Sequence, residues 1–303
     1  MSLSALKGPG EVAAEALMTR MGFAGTLLIV EGDDDSRFFR GRIDKDACDL
    51  IIAGGKLAVV GGIERLDAQH FRGALGVCDD DCASLDGNQP TSPNLVVTES
   101  HDLDTLLVRS PALERLLAEY GDKDAIQQLE RARGPVRDNL ARLALPFGRL
   151  RWLSTREKLG LDFKPLTPFR FIEPDWSFDA AALTLAAGTR LNISPPDLEA
   201  RIAALPTVDP WLLCQGHDLL AILARGLSRG GALGSRNPGN AVIGSTLRAS
   251  LDSAPWLASV LAISIRGWES ANAPFKVLAR EPTMSRSFIR DRPAKPRRTK
   301  QSP

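Results

Sequence analysis

The segment GVCDDDCAS, Gly76 to Ser84, places Asp79, Asp80 and Asp81 between Cys78 and Cys82. Carboxylates about 5 Å apart repel by about 3 kcal/mol at an effective dielectric of about 20, so a partly buried run needs a cation or solvent. Alternate residues of an extended segment point the same way, so Asp79 and Asp81 can share a ligand while Asp80 turns elsewhere. Upstream, TLLIVEG (Thr26–Gly32) is an apolar run ending in Glu31 and a glycine. A carboxylate from that strand end would complete an oxygen-only cluster of Glu31, Asp79 and Asp81. Hard oxygen donors suit Mg²⁺ or Mn²⁺, usually bound by a few carboxylates with water and phosphate. Such an ion can stabilise both oxygens of a phosphodiester displacement. The cysteines make a poor zinc site, which needs four ligands, and no second Cys/His pair stands at suitable spacing. Cys78 reads instead as a small core residue.

The elements that must position these residues alternate in type. TLLIVEG, DLIIAGGK (Asp49–Lys56), ALGVCDDD and NLVVTES (Asn94–Ser100) read as short strands. DDDSRFFRGRI, IERLDAQHF (Ile63–Phe71) and HDLDTLLV read as helices between or after them. Asp33 to Asp35 suit a helix N-terminus, where free N–H groups favour negative charge. Alternating strands and helices imply a parallel sheet, with function beyond the carboxyl ends of its strands. Glu31, Asp79–Asp81 and Thr98–Ser100 would then share one edge. From about Pro111 the pattern becomes mainly helical, with FRFIEPDWSFD extended and a Gly-rich loop from Arg229 to Gly244.

The motifs LLIVEGDDDSRFF and GVCDDDCAS resemble those of the Toprim domain, the metal-binding fold of some topoisomerases, primases and OLD-type nucleases. The resemblance covers roughly Thr26 to Val108. It extends weakly toward the OLD-like Toprim nucleases of bacterial defence loci, through TESHDLDTLLV and CQGHDLL (Cys214–Leu220). It implies a Rossmann-like α/β domain over 1–110 with a mainly parallel four-stranded sheet. A mainly α-helical region over 111–280 and a disordered basic tail over 281–303 would follow. It also implies roles: Glu31 as ligand or general acid/base, Asp79 and Asp81 as the main Mg²⁺ or Mn²⁺ ligands, and Asp35 and Asp104 as auxiliary acids. The implied activity is endonucleolytic cleavage of DNA or RNA in anti-phage defence. The implied partners are a nucleic acid substrate, an ABC-type ATPase and a second copy in a homodimer. Asp35 and Asp104 are shorter than the usual Glu at those positions, and the flanking cysteines lie outside the Toprim pattern. The sole tyrosine, Tyr120, sits in an ordinary helical stretch and speaks against a topoisomerase.

Two other classes compete. A phosphorelay receiver would use Asp79 as phosphoacceptor, but its partner lysine after the fourth strand is missing. A non-catalytic adaptor would keep the acids only for folding. Among basic residues, Lys56 follows a Gly-Gly turn near the acidic edge but lacks a P-loop pattern. Arg149, Arg151, Arg156 and Lys158 surround Trp152 in GRLRWLSTREKLG, a mixture that suits either a nucleic-acid backbone or a solvated face.

Composition bounds the rest. The chain has 303 residues and a net charge of +1, so any polyanion must be held by a local patch. Four scattered cysteines predict a reducing compartment. No apolar leader or membrane span is visible, which predicts a cytoplasmic protein.

Overall fold

The computed structural model describes residues 7–279. The tail expected at 281–303 lies outside the described residues. Four strands form one all-parallel sheet: β1 (Thr26–Val30), β2 (Cys48–Ile52), β3 (Ala74–Cys78) and β4 (Leu95–Val97), in the order β2-β1-β3-β4. The α/β class and the parallel sheet are therefore as expected. Strand β1 is buried along its whole length, as an unbroken TLLIV run requires. Its side chains alternate between two cores. Leu28 and Val30 join the larger one, while Leu27 and Ile29 join the smaller.

Helices α1 (Pro9–Arg20) and α3 (Lys56–Ala68) cover the face of the smaller core. Helix α2 (Asp33–Arg40) lies on the other face, as does α4 (Leu103–Arg109). Helix α3 starts at Lys56, well before the Ile63 expected from spacing. The intervening LAVVGG reads locally as β-prone and then broken. Its glycines instead let α1 approach: a Cβ on Gly62 would stand 2.7 Å from Val12 Cγ1. Tertiary packing overrides local propensity here.

The remaining described helices are α5 (Ala112–Tyr120), α6 (Lys123–Arg133), α7 (Val136–Arg156), α8 (Ala180–Leu191), α9 (Pro195–Ala203), α10 (Gly216–Gly226), α11 (Asn240–Ser250), α12 (Ser253–Leu257) and α13 (Val260–Ala271). The larger core runs without a break from Leu28 and Phe38 into Phe147, Leu219 and Leu261. FRFIEPDWSFD is a short 3-10 turn with one antiparallel bridge, Ile172 to Phe178, rather than a strand. Among the described residues, no helix is long and apolar enough to cross a membrane.

Candidate metal centre

The strand order makes a switch point between β1 and β3. The chain leaves β1 toward β2 on one side, while β3 and β4 lie on the other. Crevices at such points, beyond the carboxyl ends of the strands, are where open α/β sheets bind ligands. Glu31 follows β1 and Asp79 follows β3, so two carboxylates flank that crevice. The Asp79 backbone N–H donates to Glu31 Oε1 at 2.9 Å, tying the two strand ends together. Asp35, in the first turn of α2, accepts from Gly32 N–H at 2.8 Å. This caps the helix and holds the carboxylate over the crevice.

A second cluster meets the first. Asp102 caps α4, accepting from Thr105 N at 2.8 Å and Thr105 Oγ1 at 2.7 Å. Its other oxygen accepts from Gly216 N–H at 2.7 Å, the start of α10. A Cβ on Gly216 would stand 2.5 Å from Asp102 Oδ1, so only glycine permits this approach. CQGHDLL thus docks the helical region onto the strand ends. Asp34, Asp35, Asp79, Asp102, Asp104, His217 and Arg248 line one small cavity of about 80 Å³. Glu31, Asp35 and Asp79 line a tighter pocket beside it, under Phe39 and Leu103.

Burial and mutual repulsion dominate the electrostatics. Burial raises Glu31 to about 7, with Asp81 and Asp35 adding like charge and the Asp79 N–H bond and Lys56 opposing. Asp35 rises to about 6 through burial and then Asp34 and Asp102, against the Gly32 bond and Arg248. Asp104 also rises to about 6, through burial and Asp102, with Arg248 and His217 opposing. Asp79 is pushed well above the usual carboxylate range by burial, then by Asp102, Glu31, Asp35 and Asp81. The site carries more negative charge than Arg248 neutralises. That guanidinium stands 3.2 Å from Asp34 and 3.8 Å from Asp104.

The other sequence candidates are placed differently. β3 ends at Cys78, and Asp81 has a left-handed φ of 48°, so strand alternation does not carry through the triple Asp. The Asp81 carboxylate is half-exposed, 3.3 Å from Lys56 Nζ and 3.7 Å from His101 Nε2. Asp80 is buried and structural, accepting from Ser84 Oγ at 2.7 Å. Lys56 is held by the Asp80 carbonyl at 2.9 Å. Cys78 belongs to the smaller core and Cys82 to the larger, and burial pushes both thiols up to about 12. They are core residues, inert as thiolates.

In GRLRWLSTREKLG, Trp152 and Arg151 face inward, while Arg156 and Lys158 are exposed. Arg151 pairs with buried Asp218, and Trp152 is buried with its indole N–H on Asp86 at 3.0 Å. Arg156 stands 3.4 Å from the same Asp86. A buried ring cannot stack bases, and α7 turns this segment's apolar side to the core. Lys158, just beyond α7, is exposed. Asp102, His217 and Arg248 join the centre without a clear signal in the sequence. Only the capping position of Asp102 and the CQGHDLL resemblance touch on them.

The donor set fits a hard divalent cation. It is all-oxygen, partly buried and short of positive charge. Among the described residues, no three His, Cys, Asp or Glu side chains form a ready-made metal cage. Mg²⁺ usually takes one or two carboxylates with several waters and substrate phosphate, so an open set suits it better than Zn²⁺. No protein-family model matches the chain, and no curated protein matches its sequence.

Proposed function

We propose that this chain is a metal-dependent endonuclease that hydrolyses phosphodiester bonds in DNA or RNA. The carrying observation is the convergence of Glu31, Asp35, Asp79 and Asp104 at the sheet's switch point, all held above the ordinary carboxylate range. Groups so perturbed by burial and specific charge partners in a crevice are candidates for a functional site. Asp79 and Asp35, which line both adjoining pockets, would hold the cation, with Asp104 beside them in the larger one. A bound Mg²⁺ or Mn²⁺ supplies Lewis-acid polarisation of the phosphoryl group and a more acidic water. Glu31, at about 7, is suited to exchange a proton near neutral pH. His217 and Arg248 line the same cavity and could receive a phosphate oxygen there. The order of the acidic motifs, resembling Toprim nucleases, supports the same function. Roles in anti-phage defence, an ABC-type ATPase partner and a homodimer rest on that resemblance alone.

The test is cleavage of labelled single-stranded DNA, duplex DNA and RNA by purified protein in Mg²⁺ or Mn²⁺. Wild type should cut at least one. Glu31→Gln and Asp79→Asn should each slow cutting by about 10²-fold or more, the usual range for removing an acid–base group. All substrates uncut in either metal, or variants cutting at the wild-type rate, would overturn the proposal.

A further inference from the structure

Behind Arg248 lies a larger cavity of about 460 Å³, between α2 and the α11–α12 corner. Arg37, Arg42 and Arg248 line it with Ser245, Ser253 and Trp256, and among the described residues no acidic one does. Arg248 therefore faces the carboxylate cavity on one side and this basic cavity on the other.

The cations differ in freedom. Arg42 is fixed: its guanidinium donates to the carbonyls of Phe38, Arg248 and Leu251 at 2.8, 3.0 and 3.1 Å. It also lies 4.0 Å over the Phe38 ring. These partners are neutral, and burial pulls its pKa down to about 10, the mark of a positive charge without a facing carboxylate. Arg37 and Arg248 share the carboxylate of Asp34, at 3.0 and 3.2 Å, and Arg248 also stands 3.8 Å from Asp104, on the side of the carboxylate cavity. Trp256 is buried, and its indole N–H meets no acceptor among the described residues. A pre-positioned, undercompensated cation cluster with hydroxyls has the chemistry of a phosphate seat.

The chain's exit points to the kind of phosphate. Ala279 N–H donates to the Arg42 carbonyl at 2.8 Å, so the last described residue leaves from the pocket rim. The sequence beyond it, 280–303, holds eight Lys/Arg and two Asp/Glu. Such a run suits a polyanion longer than one phosphate group.

We propose that this cavity seats a backbone phosphate of a nucleic acid strand that crosses Arg248 to reach the carboxylate centre. The strand's identity as substrate rests on the hydrolase function proposed above, whereas the seat itself is tested without cleavage.

The experiment is fluorescence anisotropy of the full chain with a labelled single-stranded oligonucleotide in EDTA, titrated over salt. Ala249→Glu, at an exposed position of the pocket lining, and Arg37→Glu, on the exposed flank of α2, should each weaken binding several-fold at low salt. Each should flatten the slope of log K against log salt by about 0.7 for every phosphate no longer neutralised. Asp79→Asn, which leaves this cavity intact, should bind at least as tightly as wild type. Unchanged affinity and slope in both charge variants would overturn the seat, even if wild type cuts nucleic acid. Loss of binding in both, with no cutting by wild type, would support the seat and remove the hydrolase. Calorimetry with pyrophosphate separates the source. Pyrophosphate binding without oligonucleotide binding would make this a small-anion site and overturn the strand proposal.

Discussion

Replacing Glu31 by Gln should stabilise the metal-free protein at neutral pH. Glu31 rises from an ordinary 4.5 to about 7 on folding, chiefly through burial. Between those values the folded chain holds a proton that the unfolded chain has released. Stability therefore falls as pH rises through this window and levels off above about 7. A change from 4.5 to about 7 corresponds to about 3 kcal/mol at about 1.4 kcal/mol per pH unit. Gln keeps the amide oxygen that accepts the Asp79 N–H, so the hydrogen bond survives while the titration is removed. Urea unfolding in EDTA, followed by circular dichroism, should show the two proteins equal near pH 4.5 and the variant about 3 kcal/mol more stable at pH 7.5. Mg²⁺ at about 100 times its Kd should add about 3 kcal/mol to wild type, bringing it level with the metal-free variant. Parallel pH curves, or a variant less stable than wild type at pH 7.5, would refute the burial argument.

Other outcomes follow from the same packing. Gly216→Ala should destabilise by about 1–3 kcal/mol, since its Cβ overlaps Asp102 and the α4–α10 junction cannot open freely; thermal unfolding measures this. Arg151→Met should cost about 3–5 kcal/mol by leaving buried Asp218 unpaired, yet leave oligonucleotide affinity unchanged. Arg248→Met should raise the Asp104 titration further, because burial and Asp102 would then act with less opposing charge; carboxyl NMR shifts against pH would show it.

The sheet is legible in the sequence because each apolar run ends in an acid, a glycine or a small polar residue, which marks both the strand and its functional edge. Glu31 and Asp79 pair by that logic alone, without knowledge of the register. Strand alternation carried past its end misplaces Asp81; the extended backbone stops at Cys78 and turns left-handed at Asp81. Helix α3 reads short because its glycines look like a break, whereas they are the surface on which α1 sits. Trp152 and its neighbouring arginines look like a binding face in one dimension. Only packing shows that the indole and Arg151 face inward. His217 and Arg248 come from helices more than 100 residues beyond the strand ends, and no local pattern brings them to Asp79. Long-range placement of this kind is written in the core that joins the two halves of the chain, not in any motif.

Calorimetric titration of the metal-free protein with Mn²⁺, run in parallel on wild type and Asp79→Asn, tests the carboxylate centre most directly. Saturable binding to wild type with proton release near pH 7, abolished or weakened about tenfold or more in the variant, is the predicted result. No binding to folded wild type, or equal binding to both proteins, would contradict it and leave these acids a role only in folding.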